Sequence, residues 1–158
     1  MNIKDIMFLN KIFGRKIIHV ESPHIFRDKL TFFLEKYDSK CYCITPTNYL
    51  FVKANYGINY SEKEFREFLK EYYLELKEKG INLQLHVHLS INPKLLPYQE
   101  KKNKIEEAYL FFRNELDITP TEIVFGWWAY DEEAEEVTKR LDLKIIKKHL
   151  HIYDSWIK

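Results

Sequence analysis

Short β-branched runs alternate with amphipathic helical stretches about four times along this chain, and that alternation admits few folds. A strand followed by a helix and a parallel strand closes by a right-handed crossover, so the pattern predicts a largely parallel sheet with flanking helices. Lys16-Ile17-Ile18-His19-Val20 reads as the first strand. Ser22 and Pro23 supply an N-cap and a first helical residue for a helix reaching about Tyr37. A second strand, Lys40 to Thr45, stops at Pro46. Ser61 and Glu64 form a capping box, Phe65, Phe68, Leu69, Tyr72, Tyr73 and Leu76 make one apolar stripe, and Gly80 ends that helix. From Ile81 to Leu89 the alternation is strict, with Leu83, Leu85, Val87 and Leu89 on one face and Gln84, His86 and His88 on the other. A helix from about Lys101, a strand from Thr121 to Trp128, a helix capped by Asp131, and a fifth strand from Leu143 to His149 or slightly beyond complete the series. The expected fold class is α/β: one domain forming an incomplete (β/α) barrel, or an open, mostly parallel sheet of about five strands with flanking helices. In both, loops at the carboxyl ends of the strands build the site.

Composition narrows the function. Apolar residues make up 46% of the 158 and aromatics 16%, which excludes a disordered chain. Lys and Arg number 25 against 24 Asp and Glu, so no uniform field draws the protein to nucleic acid or to an anionic membrane. No apolar run approaches the ~20 residues that span a bilayer, and Met1 to Arg15 lacks a signal peptide's apolar stretch; the expectation is a cytoplasmic protein. With 4 glycines and neither G-x-G-x-x-G nor a P-loop, a glycine-rich nucleotide loop is not expected. Cys41 and Cys43, two apart on a strand, point the same way and read as reduced core residues.

The strongest chemical signal is His86-x-His88 at a strand end, where side chains two apart share one side and can hold one metal. Glu21, just past the first strand, supplies the third member of a His2Glu set, and zinc is the expected ion. His24 lies at the start of the next helix. Trp127, Trp128 and Tyr130 leave the fourth strand as flat faces suited to a sugar ring or a ligand cleft, with one tryptophan expected in the core and the other at the site. His149, His151, Tyr153, Asp154 and Trp156 follow the last strand; if Asp154 reaches His86 or His88 it can orient the ring, the alternative being a C-terminal tail simply ordered by Trp156. Lys101, Lys102 and Lys104 form a short basic run that could meet a phosphate but reads more simply as solvated.

On these residues the sequence resembles the polysaccharide deacetylase, or NodB-like, family. Ile18-His19-Val20-Glu21-Ser22-Pro23-His24 is similar to its T-F-D-D-G-P-H motif, with the metal-binding Asp falling on Glu21. Leu34 to Thr45 is similar to the family's second strand and the turn before it. Asn82-Leu83-Gln84-Leu85-His86 resembles E-I-G-S-H and puts a ligand on His86. Pro120 to Tyr130 resembles the approach to the substrate groove, and Asp154-x-Trp156 the late D-x-W. The resemblance implies an incomplete β/α barrel around a divalent metal that removes acyl groups from carbohydrate-like substrates. The departures are specific. The family's catalytic Asp falls on Val20, its second motif histidine on Ser90, and its groove Arg is missing at Val124-Phe125. The chain stops before the final histidine motif, so the resemblance is to a divergent, C-terminally truncated member.

Two other folds use H-x-H. A cupin needs a Glu soon after the second His and an all-β sandwich, neither of which is present here. PHP-type phosphoesterases and amidohydrolases surround the pair with many more ligands. The sequence thus predicts a metal centre at Glu21, His86 and His88, with Glu21, His24, His151 or Asp154 in catalytic roles and Trp127, Trp128, Tyr130 and Trp156 binding substrate. The alternatives are a non-catalytic carbohydrate- or small-ligand-binding protein with a degenerate deacetylase site and, second, a PHP- or amidohydrolase-like metal hydrolase. An uncovered sheet edge further suggests a homodimer.

Overall fold

In the computed structural model, residues 17–37, 40–147 and 151–157 are described. Six parallel strands form one sheet: β1 (Ile17–Val20), β2 (Lys40–Ile44), β3 (Asn82–Val87), β4 (Glu122–Phe125), β5 (Lys144–Ile145) and β6 (Ile152–Tyr153). Their spatial order is β5-β4-β3-β2-β1-β6. The first five strands run in sequence, so right-handed crossovers lay their connecting helices on one face. β6 then returns beside β1, leaving β5 and β6 at the two edges that a closed barrel would pair. This is an incomplete barrel. The predicted fifth strand is corrected: β5 is two residues long, Ile146 and Lys147 do not continue it, and among the described residues pairing is next seen at β6 on the far edge. His149, like Met1 to Arg15, lies outside the described residues.

Among the described residues there are five α-helices: α1 (Pro23–Tyr37), α2 (Tyr49–Tyr56), α3 (Glu62–Glu78), α4 (Tyr98–Leu110) and α5 (Glu132–Arg140). None of the described helices is long and apolar enough to cross a membrane. The capping box is formed as expected, with Ser61 Oγ accepting from Glu64 N and Glu64 accepting from Ser61 N at 2.7 Å. Phe65, Leu69, Tyr72, Tyr73 and Leu76 of α3 are buried against the sheet's apolar face, which carries Ile18, Val20, Cys43, Leu85 and Phe125. Cys41 and Cys43 sit in that core as free thiols. Asp131 caps α5 and also accepts from Lys101 Nζ at 2.7 Å, so Lys101 is buried and structural and the lysine run is not uniformly solvated.

The other face of the sheet is polar, as the alternation in β3 requires. At its amino-terminal side Lys40 and Tyr42 both donate to Glu122 Oε2, at 2.8 and 2.7 Å, and Gln84 accepts from the amides of Thr121 and Glu122. Higher up stand His19, stacked on His151 at 4.3 Å, and then His86. This layering leaves the carboxyl-terminal rim for the site.

That rim is tied together by Asp154, which is fully buried. Its Oδ2 accepts from the amides of Glu21 (3.2 Å) and Ser22 (2.8 Å), and its Oδ1 from Ser22 Oγ (3.2 Å) and Ser155 N (2.9 Å). The hydroxyl of Ser22 therefore serves Asp154, while its carbonyl accepts from Ile25 and Phe26 to start α1. Replacing Asp154 with Ala strands buried donors that each cost about 1–3 kcal/mol. Asp154→Ala is expected to lose about 3 kcal/mol in urea unfolding followed by tryptophan fluorescence; a loss below about 1 kcal/mol would show the clamp to be dispensable.

Candidate metal centre

Glu21 follows Val20, whose partner on β2 is Cys43; the next rung across the sheet runs through Ile44 to His86. Glu21 and His86 thus reach the same level from strands separated by β2, and His88 joins them from just beyond β3. Glu21 Oε1 lies 2.9 Å from His86 Nε2 and 3.0 Å from His88 Nε2, and the two Nε2 atoms are 3.0 Å apart. All three residues are buried, and they are the group of potential metal ligands found among the described residues. Donor atoms bound to one zinc-like ion at about 2.0–2.2 Å stand about 3 Å from one another, so the spacing fits a shared cation. The donor types fit as well: two imidazoles and a carboxylate form a common divalent-metal set.

Burial pushes the Glu21 carboxyl up, but hydrogen bonds and charge from His86 and His88 outweigh it and hold the group well below the usual carboxylate range. Burial pushes His88 down to about 4, with His86 adding to the fall and Glu21 opposing it. At neutral pH Glu21 is ionised and His88 neutral, the forms that ligate. Tyr56 donates a short hydrogen bond to Glu21 Oε2, and burial together with that bond raises the phenol well above its ordinary value.

His88 is fixed mainly by packing. Asn48 clamps its backbone, donating to His88 O at 2.7 Å and accepting from His88 N at 3.2 Å. Phe51 stacks on the ring with centroids 3.7 Å apart, and Trp127 meets it edge-on at 4.6 Å. Among the described residues Nδ1 of His88 and Nδ1 of His86 have no hydrogen-bond partner. Glycine at position 126 is required here, because a Cβ would fall 2.0 Å from His88 Nδ1.

Sequence reasoning missed Asn48, Phe51, Tyr56 and Gly126. The first three belong to the turn and helix after Pro46, a stretch to which the sequence reading assigns no element. The available signal was Gly57, whose φ of 70° ends α2, with Tyr49, Val52 and Tyr56 at helical spacing before it.

The other predicted residues divide between the site and its surroundings. Trp127 and Trp156 are both exposed and line a cavity of about 290 Å³ above the triad, with Tyr153, Phe51, Tyr56 and Glu21. Neither tryptophan pair member is in the apolar core: β4 ends at Phe125, Trp127 and Trp128 follow with φ of 54° and 58°, and strand alternation no longer applies. Trp128 instead packs by His19 and His151 on the sheet's polar face. Tyr130 stacks on Phe125 and packs against the core, away from the cavity. His24 points to Gly57 O at 3.2 Å and to Phe65, not to the triad. Asp154 reaches neither imidazole, since backbone amides and Ser22 occupy its oxygens; burial raises it to about 6 against those hydrogen bonds.

Compared by sequence, the chain matches no family model and no curated protein. Compared by structure, it is similar to the BpsB deacetylase domain from Bordetella bronchiseptica, with a TM-score of 0.62 at 11% identity over 96% of this chain and 83% of that one. A family 4 carbohydrate esterase from Streptomyces lividans, solved with acetate, gives 0.60 at 9% identity over 84% of this chain. A family 4 pseudoenzyme from Bacillus anthracis gives 0.62 at 9% over 84%. The chain spans 60% of the length of that esterase and 42% of that pseudoenzyme. The fold is therefore that of the polysaccharide deacetylases, as the motifs implied.

Gly126→Ala is expected to displace His88, to cost about 1–3 kcal/mol by overpacking, and to weaken binding of zinc in equilibrium dialysis at least tenfold. Unchanged zinc affinity would mean that His88 is not held from this side.

Proposed function

We propose that the chain is a metal-dependent hydrolase that removes an acyl group from an amide or ester of a carbohydrate-like substrate. The observation that carries this reading is the convergence of Glu21 Oε1, His86 Nε2 and His88 Nε2 within about 3 Å at the carboxyl-terminal rim of the sheet. Glu21, His86 and His88 would hold the ion; when bound, a divalent metal polarises an acyl carbonyl and supplies activated water. The residues do the rest. Tyr56 holds the second oxygen of Glu21 and keeps the carboxylate aimed at the imidazoles. When the Nε2 atoms turn their lone pairs to a cation, the ring protons sit on Nδ1. Asp154 fixes the turn that delivers Glu21 without touching the chemistry. Trp127 and Trp156, exposed at the cavity mouth, offer stacking faces to a sugar ring. His151, stacked on His19 below the rim, is the remaining predicted residue for handling a proton.

A second reading, a binding protein without catalysis, has its own observation. Among the described residues lining the cavity, Glu21 is the sole carboxylate, and Val20 faces the apolar core where a base would be wanted. One fold neighbour is itself a pseudoenzyme. A PHP or amidohydrolase-like centre asks for more ligands than the three grouped here.

Elemental analysis of the purified protein distinguishes the first two. Hydrolysis predicts about one divalent ion per chain, at least a hundredfold weaker binding in His86→Ala, and metal-dependent release of nitrophenol from 4-nitrophenyl acetate. A metal-free native protein whose stability is unchanged in His86→Ala would favour binding alone.

A further inference from the structure

Glu21 differs from its two partners in having a second donor atom to give. Each imidazole turns one nitrogen, Nε2, towards the others, whereas a carboxylate can hold a divalent ion through one oxygen or through both. Oε1 is the oxygen that faces the imidazoles, at 2.9 and 3.0 Å from their Nε2 atoms. Oε2 accepts the hydroxyl of Tyr56, which among the described residues is the donor to it.

The helix α2 fixes Tyr56 in that position. Tyr56 is its last residue, and Gly57, at φ 70°, turns the chain away directly after it while its N–H closes on Lys53 O. Phe51 of the same helix stacks on His88 and meets the Tyr56 ring edge-on at 6.4 Å. One short helix therefore holds an imidazole ring with one side chain and the spare carboxylate oxygen with another. Three protein donors leave an ion one short of the four neighbours that zinc commonly takes. Two groups could fill the remaining position: Oε2 of Glu21, or a molecule from the 290 Å³ cavity that Glu21, Tyr56 and His88 border. The first gives a closed centre and the second an open one.

We infer that Tyr56 is a positioning residue that keeps the centre open: by occupying Oε2 it confines Glu21 to one ligating oxygen and reserves the last position for water or a small carboxylate from the cavity. The inference rests on the metal-dependent reading and adds how such a centre stays accessible. Burial and the bond to Glu21 keep the phenol protonated at neutral pH, so the oxygen stays occupied there.

Cobalt(II) in place of zinc reports on its neighbours directly, because its visible absorption is several times stronger with four of them than with five or six. Tyr56→Phe removes the hydroxyl and keeps the ring. The cobalt-loaded variant is expected to bind the ion at least as tightly as the wild type, to absorb about threefold less, and to respond to acetate only at about tenfold higher concentration. An unchanged spectrum with an unchanged acetate response would overturn the inference. Weaker cobalt binding with an unchanged spectrum of the bound form would also overturn it, since Tyr56 would then support the fold and nothing more. X-ray absorption of the zinc-loaded wild type needs no substitution and is expected to find about four nitrogen or oxygen neighbours around the metal; six would overturn the inference even if the variant failed to fold. A wild type that binds zinc and cleaves 4-nitrophenyl acetate yet fails these tests leaves the hydrolase reading standing. A wild type that takes up neither metal overturns that reading, and the inference with it.

Discussion

An anionic carboxylate buried at 4% exposure is the constraint around which the rim is organised. Uncompensated, a buried charge costs several kcal/mol. Glu21 meets that demand with two imidazoles on one oxygen and a phenol on the other. Glu21 Oε1 and the two imidazole Nε2 atoms converge on one point, where a divalent cation would compensate the buried carboxylate. The same charge explains why the elements bearing His86, His88 and Tyr56 must close over Glu21 together. Losing one leaves the others facing an unscreened anion.

The supports of this cluster come from remote parts of the sequence. Asp154 holds the turn carrying Glu21, Asn48 holds the backbone of His88, and Gly126 leaves room for its ring. Two consecutive left-handed tryptophans follow Gly126. That conformation is uncommon for bulky residues and places Trp127 over His88 and Trp128 beside His19. The local backbone strain therefore sits where it aims aromatic rings at the two imidazole layers.

Much of this was legible because sheet periodicity is rigid. Two-residue alternation in β3 put Gln84, His86 and His88 on the polar face, and the parallel order put Glu21 at an equivalent strand end. What failed involved places where the chain leaves regular structure. Pro46 ended the strand signal but also started a turn into α2, and eight residues carry too little periodicity to declare a helix against that proline. The two tryptophans were read as strand residues although pairing had stopped at Phe125. Asp154 was matched to an imidazole because carboxylates commonly orient histidines, whereas nearby amides left by the opening of α1 were the stronger claimants. The split between β5 and β6 is a tertiary matter: each has two residues, and only the sheet edges decide where they pair.

The bond between Asp154 and the turn after β1 also imposes an order on biosynthesis. Its two ends are separated by 132 residues, so joining them closes nearly the whole described chain into one loop. Contacts of that separation form late, after local helices and neighbouring strands. On a ribosome, the first strand emerges early yet its exit stays unanchored until residue 154 is out. The imidazoles and their carboxylate are thus held in register only once residue 154 has been made.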